Sequence, residues 1–178
     1  MTKLAGEGSR HGSTLFGKAG DITKRPPMWG VFAVALALTG PTGRRAAARA
    51  GASYVAAAVV HMPIKRLVNR SRPPGAHRMT FTSSFPSGHC ASELAFSIGA
   101  AQEVPWLIVP LYAATLAAEW SMVRSQAHYP SDIFAGAAVG IAVAVVAQRL
   151  WPSYRSLRTG RPSVEPEGEV PVTPPSYA

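Results

Sequence analysis

Residues 121–148 read SMVRSQAHYPSDIFAGAAVGIAVAVVAQ, and this stretch decides the fold. Its first half carries His128 and Asp132, four residues apart and so on one face of a helix. Its second half, Ile133 to Gln148, has no charged residue, and Arg149 with Trp151 closes it as an interfacial anchor would. A helix on the surface of a soluble bundle needs a polar face. This one has none, which points to a lipid surrounding.

Working outward, the same reading applies to four more segments. Val104 to Ala118 is uncharged and starts beside Pro105, and Ser87 to Gln102 is interrupted only by Glu93. Together they read as a helical hairpin. Ala50 to Ile64 is uncharged between Arg49 and Lys65, with Arg44, Arg45 and Arg49 placed to snorkel at one end. Pro26 to Gly43 contains the run Val31 to Leu38, and Gly40-Pro41-Thr42-Gly43 signals a turn. Trp29, Trp106 and Trp120 sit at segment ends, where they read as interface anchors or as packing residues. Each segment is shorter than the roughly 20 apolar residues that cross a bilayer core untilted. The expectation is an all-α integral membrane helical bundle of about five apolar segments over residues 26–151, the first either crossing or dipping in and returning.

Composition agrees. Within 178 residues, 47% are hydrophobic and only 15% charged, against roughly 25% charged in a typical soluble domain. The net charge of +9 favours phosphate-rich partners. The single Cys90 excludes an internal disulfide and a zinc site built from several thiolates. Residues 1–25 form a polar basic tail without signal-peptide character, and residues 152–178 a Pro-rich tail expected to be disordered. The aromatics fall at segment ends, not among the Arg and Lys residues, which argues against nucleic acid.

The chemistry lies at segment boundaries. Lys65-x6-Arg72-Pro73 ends the second segment, Pro86-Ser87-Gly88-His89 opens the third, and His128-x3-Asp132 opens the fifth. The hairpin between the last two returns the chain to the same face. Lys65, Arg72, Ser87, His89, His128 and Asp132 therefore share one end of the bundle. Arg grips two phosphate oxygens with its planar fork, Lys adds a point charge, and Ser87 at a helix start completes a cradle that Gly88 lets come close. Asp132 on one His128 nitrogen leaves the other free to attack, and His89 is placed to protonate a leaving group. His128 and Asp132 also have metal-ligand spacing, but His89 is the only obvious third ligand and the surrounding cations would repel a metal. No metal or cofactor is expected. His11, His61 and His77 match no motif, Arg66, Arg70 and Arg78 read as headgroup contacts, and Glu93 and Glu119 are open between protonated, paired and interior-facing states.

The three clusters resemble the signature K-x6-RP, PSGH, SR-x5-H-x3-D of the type 2 phosphatidic acid phosphatase family, which is related to the vanadium haloperoxidases. The likeness covers roughly Met28 to Trp151, with Tyr129-Pro130-Ser131 and Ala135-Gly136 also family-like. It implies a metal-independent membrane phosphatase for lipid or isoprenoid phosphates, in which His128 forms a phosphohistidine, Asp132 orients it, His89 is the acid, and Lys65, Arg72, Ser87 and Gly88 bind phosphoryl oxygens. Ser121 is in register, but Met122 stands where the family has Arg. Arg124, two residues on, is the candidate replacement if the backbone there is irregular; in a helix it points about 200° away. The alternative is a catalytically impaired relative that binds phospholipid headgroups or a membrane partner. Both tails are basic, so the positive-inside tendency places them on the cytoplasmic side when the first segment does not cross, and the site on the extracytoplasmic face.

Overall fold

The computed structural model describes residues 26–74 and 83–152. Both tails, and residues 75–82 with His77 and Arg78, lie outside the described residues. The elements are α1 (Pro26–Ala37), α2 (Pro41–Val68), α3 (Gly88–Glu103), a 3₁₀ turn (Pro105–Leu107), α4 (Ile108–Arg124) and α5 (Pro130–Leu150). Every regular element among the described residues is helical, as expected. Two stretches, Pro105–Arg124 and Pro130–Leu150, are long and apolar enough to cross a membrane.

The start of α2 corrects the sequence reading. Gly40-Pro41-Thr42-Gly43 is not a turn of four residues. The reversal lies at Leu38 to Gly40, with Thr39 N on the Leu36 carbonyl and Gly40 at φ 111, a conformation that glycine adopts without a Cβ clash. Pro41 then supplies a preset helical φ at the first helical position. Gly43 lies inside the helix, where a Cβ would collide with the Leu36 carbonyl and the Thr39 side chain. The helix runs on through Pro63 to Val68, so Lys65 belongs to its last turn. Asn69 ends it in the left-handed region, φ 44, with its N–H on the Lys65 carbonyl.

The third helix is the centre of the bundle. It packs on α2, α4 and α5 through small residues that let backbones approach. A Cβ on Gly136 or Gly140 of α5 would meet the Ser87 or Ala91 carbonyl of α3, and one on Gly99 would lie 3.1 Å from the Ala50 Cα. Around this seam Ala57, Ala91, Ala95 and Ala100 are fully buried.

Of the two roles open to Trp29 the structure takes packing: it is 2% exposed, edge-on to Phe96 at 5.2 Å and Phe32 at 5.6 Å. Arg49 does not snorkel. It is also 2% exposed and pairs with Glu103, Nε to Oε1 at 3.2 Å, because α3 brings an acid to the same depth. Its guanidinium also donates to Gln102 Oε1 at 3.1 Å and lies under the Trp151 ring, 5.0 Å from the centroid.

Candidate active site

The opposite end of the bundle gathers the three motifs. After Asn69 the chain leaves the helix, and Arg70, Ser71 and Arg72 run alongside the segment that leads into α3. Ser84 N donates to the Arg70 carbonyl at 2.9 Å, Ser84 Oγ to the Ser71 carbonyl at 3.1 Å, and Arg70 N to Ser83 Oγ at 2.9 Å. Ser87 caps α3: its Oγ accepts from Cys90 N at 3.3 Å. Its own N–H donates to the Asp132 carbonyl at 2.8 Å. That single bond ties the start of α3 to the first turn of α5.

Asp132 has two tasks. Its Oδ2 accepts from Tyr129 N at 2.9 Å, which satisfies a helix-start donor. The same oxygen faces His128 Nδ1 at 3.7 Å, just beyond hydrogen-bond range. His128 Nε2 faces the other way, 3.5 Å from an Arg72 guanidinium nitrogen. Arg72 also donates to the Ala127 carbonyl, and Lys65 Nζ to the Ser83 carbonyl at 2.8 Å. Two buried atoms, Arg72 Nε and His128 Nδ1, have no hydrogen-bond partner.

The electrostatics follow from burial and from cations held close together. Burial, then the Arg72 and Lys65 charges, push the His128 imidazole well below its ordinary value, so it is neutral near pH 7. Lys65 falls to about 8, chiefly through burial and then through Arg72. Burial also lowers Arg72 from its ordinary value. A dianionic oxygen cluster here would meet two cations and a neutral, nucleophilic nitrogen.

Lys65, Arg72, Ser87, His128 and Asp132 thus come together. His89 lies in the first turn of α3, partly buried. Ser87 is fully buried, and its hydroxyl donates inward to Glu119 Oε2 at 3.4 Å. The absent side chain of Gly88 makes room for His61, since a Cβ would lie 2.5 Å from His61 Nε2; His61 Nδ1 in turn bonds the Ala57 carbonyl. Arg124 is exposed at the end of a helix that is continuous through Met122, and helical geometry sets the two about 200° apart.

The sequence alone did not reveal the role of Arg70. Arg70 is no free headgroup contact: it donates to Asp132 Oδ1 and to Ser131 Oγ, each at 2.9 Å, and lies 4.3 Å over the Tyr129 ring. A signal existed, because Pro73 favours extended backbone at Arg72, and alternate residues of an extended segment share a side. Glu93 and Glu119 face the bundle interior, both buried, and Glu119 accepts from Ser87 Oγ. Among the described residues no group of three or more His, Cys, Asp or Glu is placed to hold a metal ion.

The chain is similar to known proteins. The chain is 34% identical over 125 residues to the decaprenylphosphoryl-5-phosphoribose phosphatase of Mycobacterium tuberculosis, covering 66% of this chain and 68% of that one. It is 35% identical over 88 residues to the lipid A 1-phosphatase of Rhizobium etli, covering 43% of this chain and 38% of that one. No solved structure matches it. A match to the PAP2 superfamily extends over residues 46–155, more than half of the chain and inclusive of all three motifs, and on that ground the chain belongs to the PAP2 superfamily.

Proposed function

We propose that the protein is a multi-pass membrane phosphatase that hydrolyses a lipid or isoprenoid phosphate or diphosphate through a phosphohistidine at His128. The observation that carries this reading is the opposed arrangement of the His128 nitrogens, Nδ1 toward Asp132 and Nε2 toward Arg72. Lys65 and Arg72 neutralise the phosphoryl oxygens, helped by the start of α3. The Nε2 lone pair attacks phosphorus, the ester P–O bond breaks, and His89 gives its proton to the leaving oxygen. Asp132 stabilises the charge that develops on the ring. Water then attacks phosphorus, loses a proton to His89, and the P–N bond breaks. Ser87 takes part by capping α3 and joining it to α5, and Gly88 by keeping that helix start narrow. Neither a metal nor a cofactor enters these steps.

The membrane reading is supported by the outward-facing apolar surface. Only 17% of the apolar window of α5 is buried, and Phe134, Ile141, Val146 and Leu150 are exposed along it. The core helix of a soluble protein is buried, so this pattern fits lipid. At 12 residues, α1 spans about 18 Å and falls short of a roughly 30 Å bilayer core. A dipping α1 puts both basic tails on the cytoplasmic side and the site on the extracytoplasmic face. The relatives named above act, by their names, on lipid-borne phosphates, which supports the same substrate class here.

Purified protein in detergent, with chelator present, is expected to release inorganic phosphate from polyprenyl phosphate or phosphatidic acid, and His128→Ala to abolish release. Met122 favours a second reading, a headgroup binder without turnover. Folded wild-type protein that binds these lipids but releases no phosphate selects it. A topology reporter at Ala178 is expected to read cytoplasmic; an extracytoplasmic signal overturns the orientation.

A further inference from the structure

We infer that Arg70 is a positioning residue that fixes the Asp132 carboxylate and thereby aims His128. Three cations crowd this end, and their bonds differ. Lys65 is held by the Ser83 carbonyl and Arg72 by the Ala127 carbonyl. Arg70 alone of the three bonds the carboxylate, at 2.9 Å to Oδ1. Asp132 is 0% exposed, and an ionised carboxylate so placed needs a charged partner. A neutral His128 cannot supply one.

Arg70 is itself held from every side. Its N–H bonds Ser83 Oγ, its carbonyl accepts from Ser84, and its guanidinium bonds Ser131 and covers the Tyr129 ring. With Oδ1 occupied by Arg70 and Oδ2 by Tyr129 N–H, the carboxylate cannot rotate. Its Oδ2 edge stays opposite His128 Nδ1, and the remaining 3.7 Å gap closes as positive charge develops on the ring. Arg70 also draws on the charge that would otherwise raise the basicity of His128. That adds to the burial and to the Arg72 and Lys65 charges, which already hold the His128 imidazole below its ordinary value.

The charged groups around His128 are Lys65 from α2, Arg70 and Arg72 from the following loop, and Asp132 from α5. From the same end, α3 contributes His89 and α4 contributes Glu119. Removing the Arg70 cation leaves Asp132 without a charged hydrogen-bond partner, so that more of its charge falls on His128, 3.7 Å away, beside the Lys65 and Arg72 charges that it also feels. The His128 titration then moves up.

This inference rests on His128 being the nucleophile, but its first test needs no turnover. Protein labelled with ¹⁵N-histidine in detergent micelles is titrated by NMR. Arg70→Met is expected to raise the His128 midpoint by about one unit or more, and Arg70→Lys to restore most of the shift. With substrate, Arg70→Met is expected to lower kcat about tenfold or more with KM changed less than about twofold, and to add little in an Asp132→Asn background. An unmoved midpoint in Arg70→Met overturns the inference, as does a raised KM with unchanged kcat, which marks direct substrate binding. Multiplicative losses in the double variant overturn it too. A titration shift between Arg70→Met and wild type, with wild type releasing no phosphate, retains the positioning of His128 and overturns the phosphatase reading instead.

Discussion

At one end of the bundle Arg49 is buried among Glu103, Gln102 and the Trp151 ring, and none of its nitrogens is left both buried and unbonded. At the other end Arg72 Nε and His128 Nδ1 are buried with no partner. The sequence spends similar residues at both places. The first cluster bonds Arg49 Nε to Glu103 and a terminal guanidinium nitrogen to Gln102 and clamps α2, α3 and the end of α5; Gln102 extends it by donating to the Ala144 carbonyl at 3.2 Å. The second keeps donors unmatched, at a cost of about 1–3 kcal/mol for each buried group. An unmatched Arg72 donor beside a neutral imidazole suits an anion that arrives from outside. Hydrogen-bond satisfaction therefore separates the Arg49 cluster from the Arg72 cluster, where composition does not.

The contrast breaks most visibly at His128. His128→Ala is expected to reduce kcat by about 10⁴-fold or more, with the helical circular dichroism and melting transition retained. At the clamp the order reverses. Glu103→Ala strands the buried Arg49 charge and is expected to destabilise the fold by about 3–5 kcal/mol, read by thermal unfolding in detergent, while the folded fraction keeps its KM and kcat within about twofold. A clamp variant that stays stable but loses turnover would show the two ends to be coupled.

A finer test uses pH. Lys65 binds phosphate only when protonated, and burial sets it at about 8, so kcat/KM is expected to fall above about that pH. Lys65→Arg should move this limb upward. His128 must be neutral to attack; its lowered value places the acid limb below the ordinary imidazole range near about 6.5. A bound phosphate dianion holds the Lys65 proton more tightly, so the limb in kcat lies higher than in kcat/KM. The smallest effect is expected at Arg124, exposed on the far side of α4. Arg124→Ala should change kcat/KM by less than about twofold, whereas Met122→Arg, which restores a cation in register with Ser121, should raise it.

Much of this was legible because local spacing reports geometry. The K-x6-RP and H-x3-D intervals and the helical hairpin between Ser87 and Ala118 brought Lys65, Arg72, Ser87, His128 and Asp132 to one end before any coordinates. What escaped depends on partners far apart in the chain. Arg49 meets Glu103 across 54 residues, and Arg70 meets Asp132 across 62; neither distance leaves a periodic trace. Gly40 to Gly43 misled because turn composition and a helix start after a left-handed glycine use the same residues. Trp29 was left between anchoring and packing because a segment end is also where a short first helix folds onto its neighbours. Ser87 carried a correct position, while its hydroxyl's inward bond to Glu119 depends on a helix 32 residues on.

The central claim is that His128 becomes covalently phosphorylated. A rapid acid-free quench of wild-type protein with ³²P-labelled lipid phosphate tests it most directly. The account predicts label on the protein that is stable to base, labile to acid, chased by time and absent from His128→Ala. Phosphate release from wild type without such label, or label that persists in His128→Ala, would contradict it.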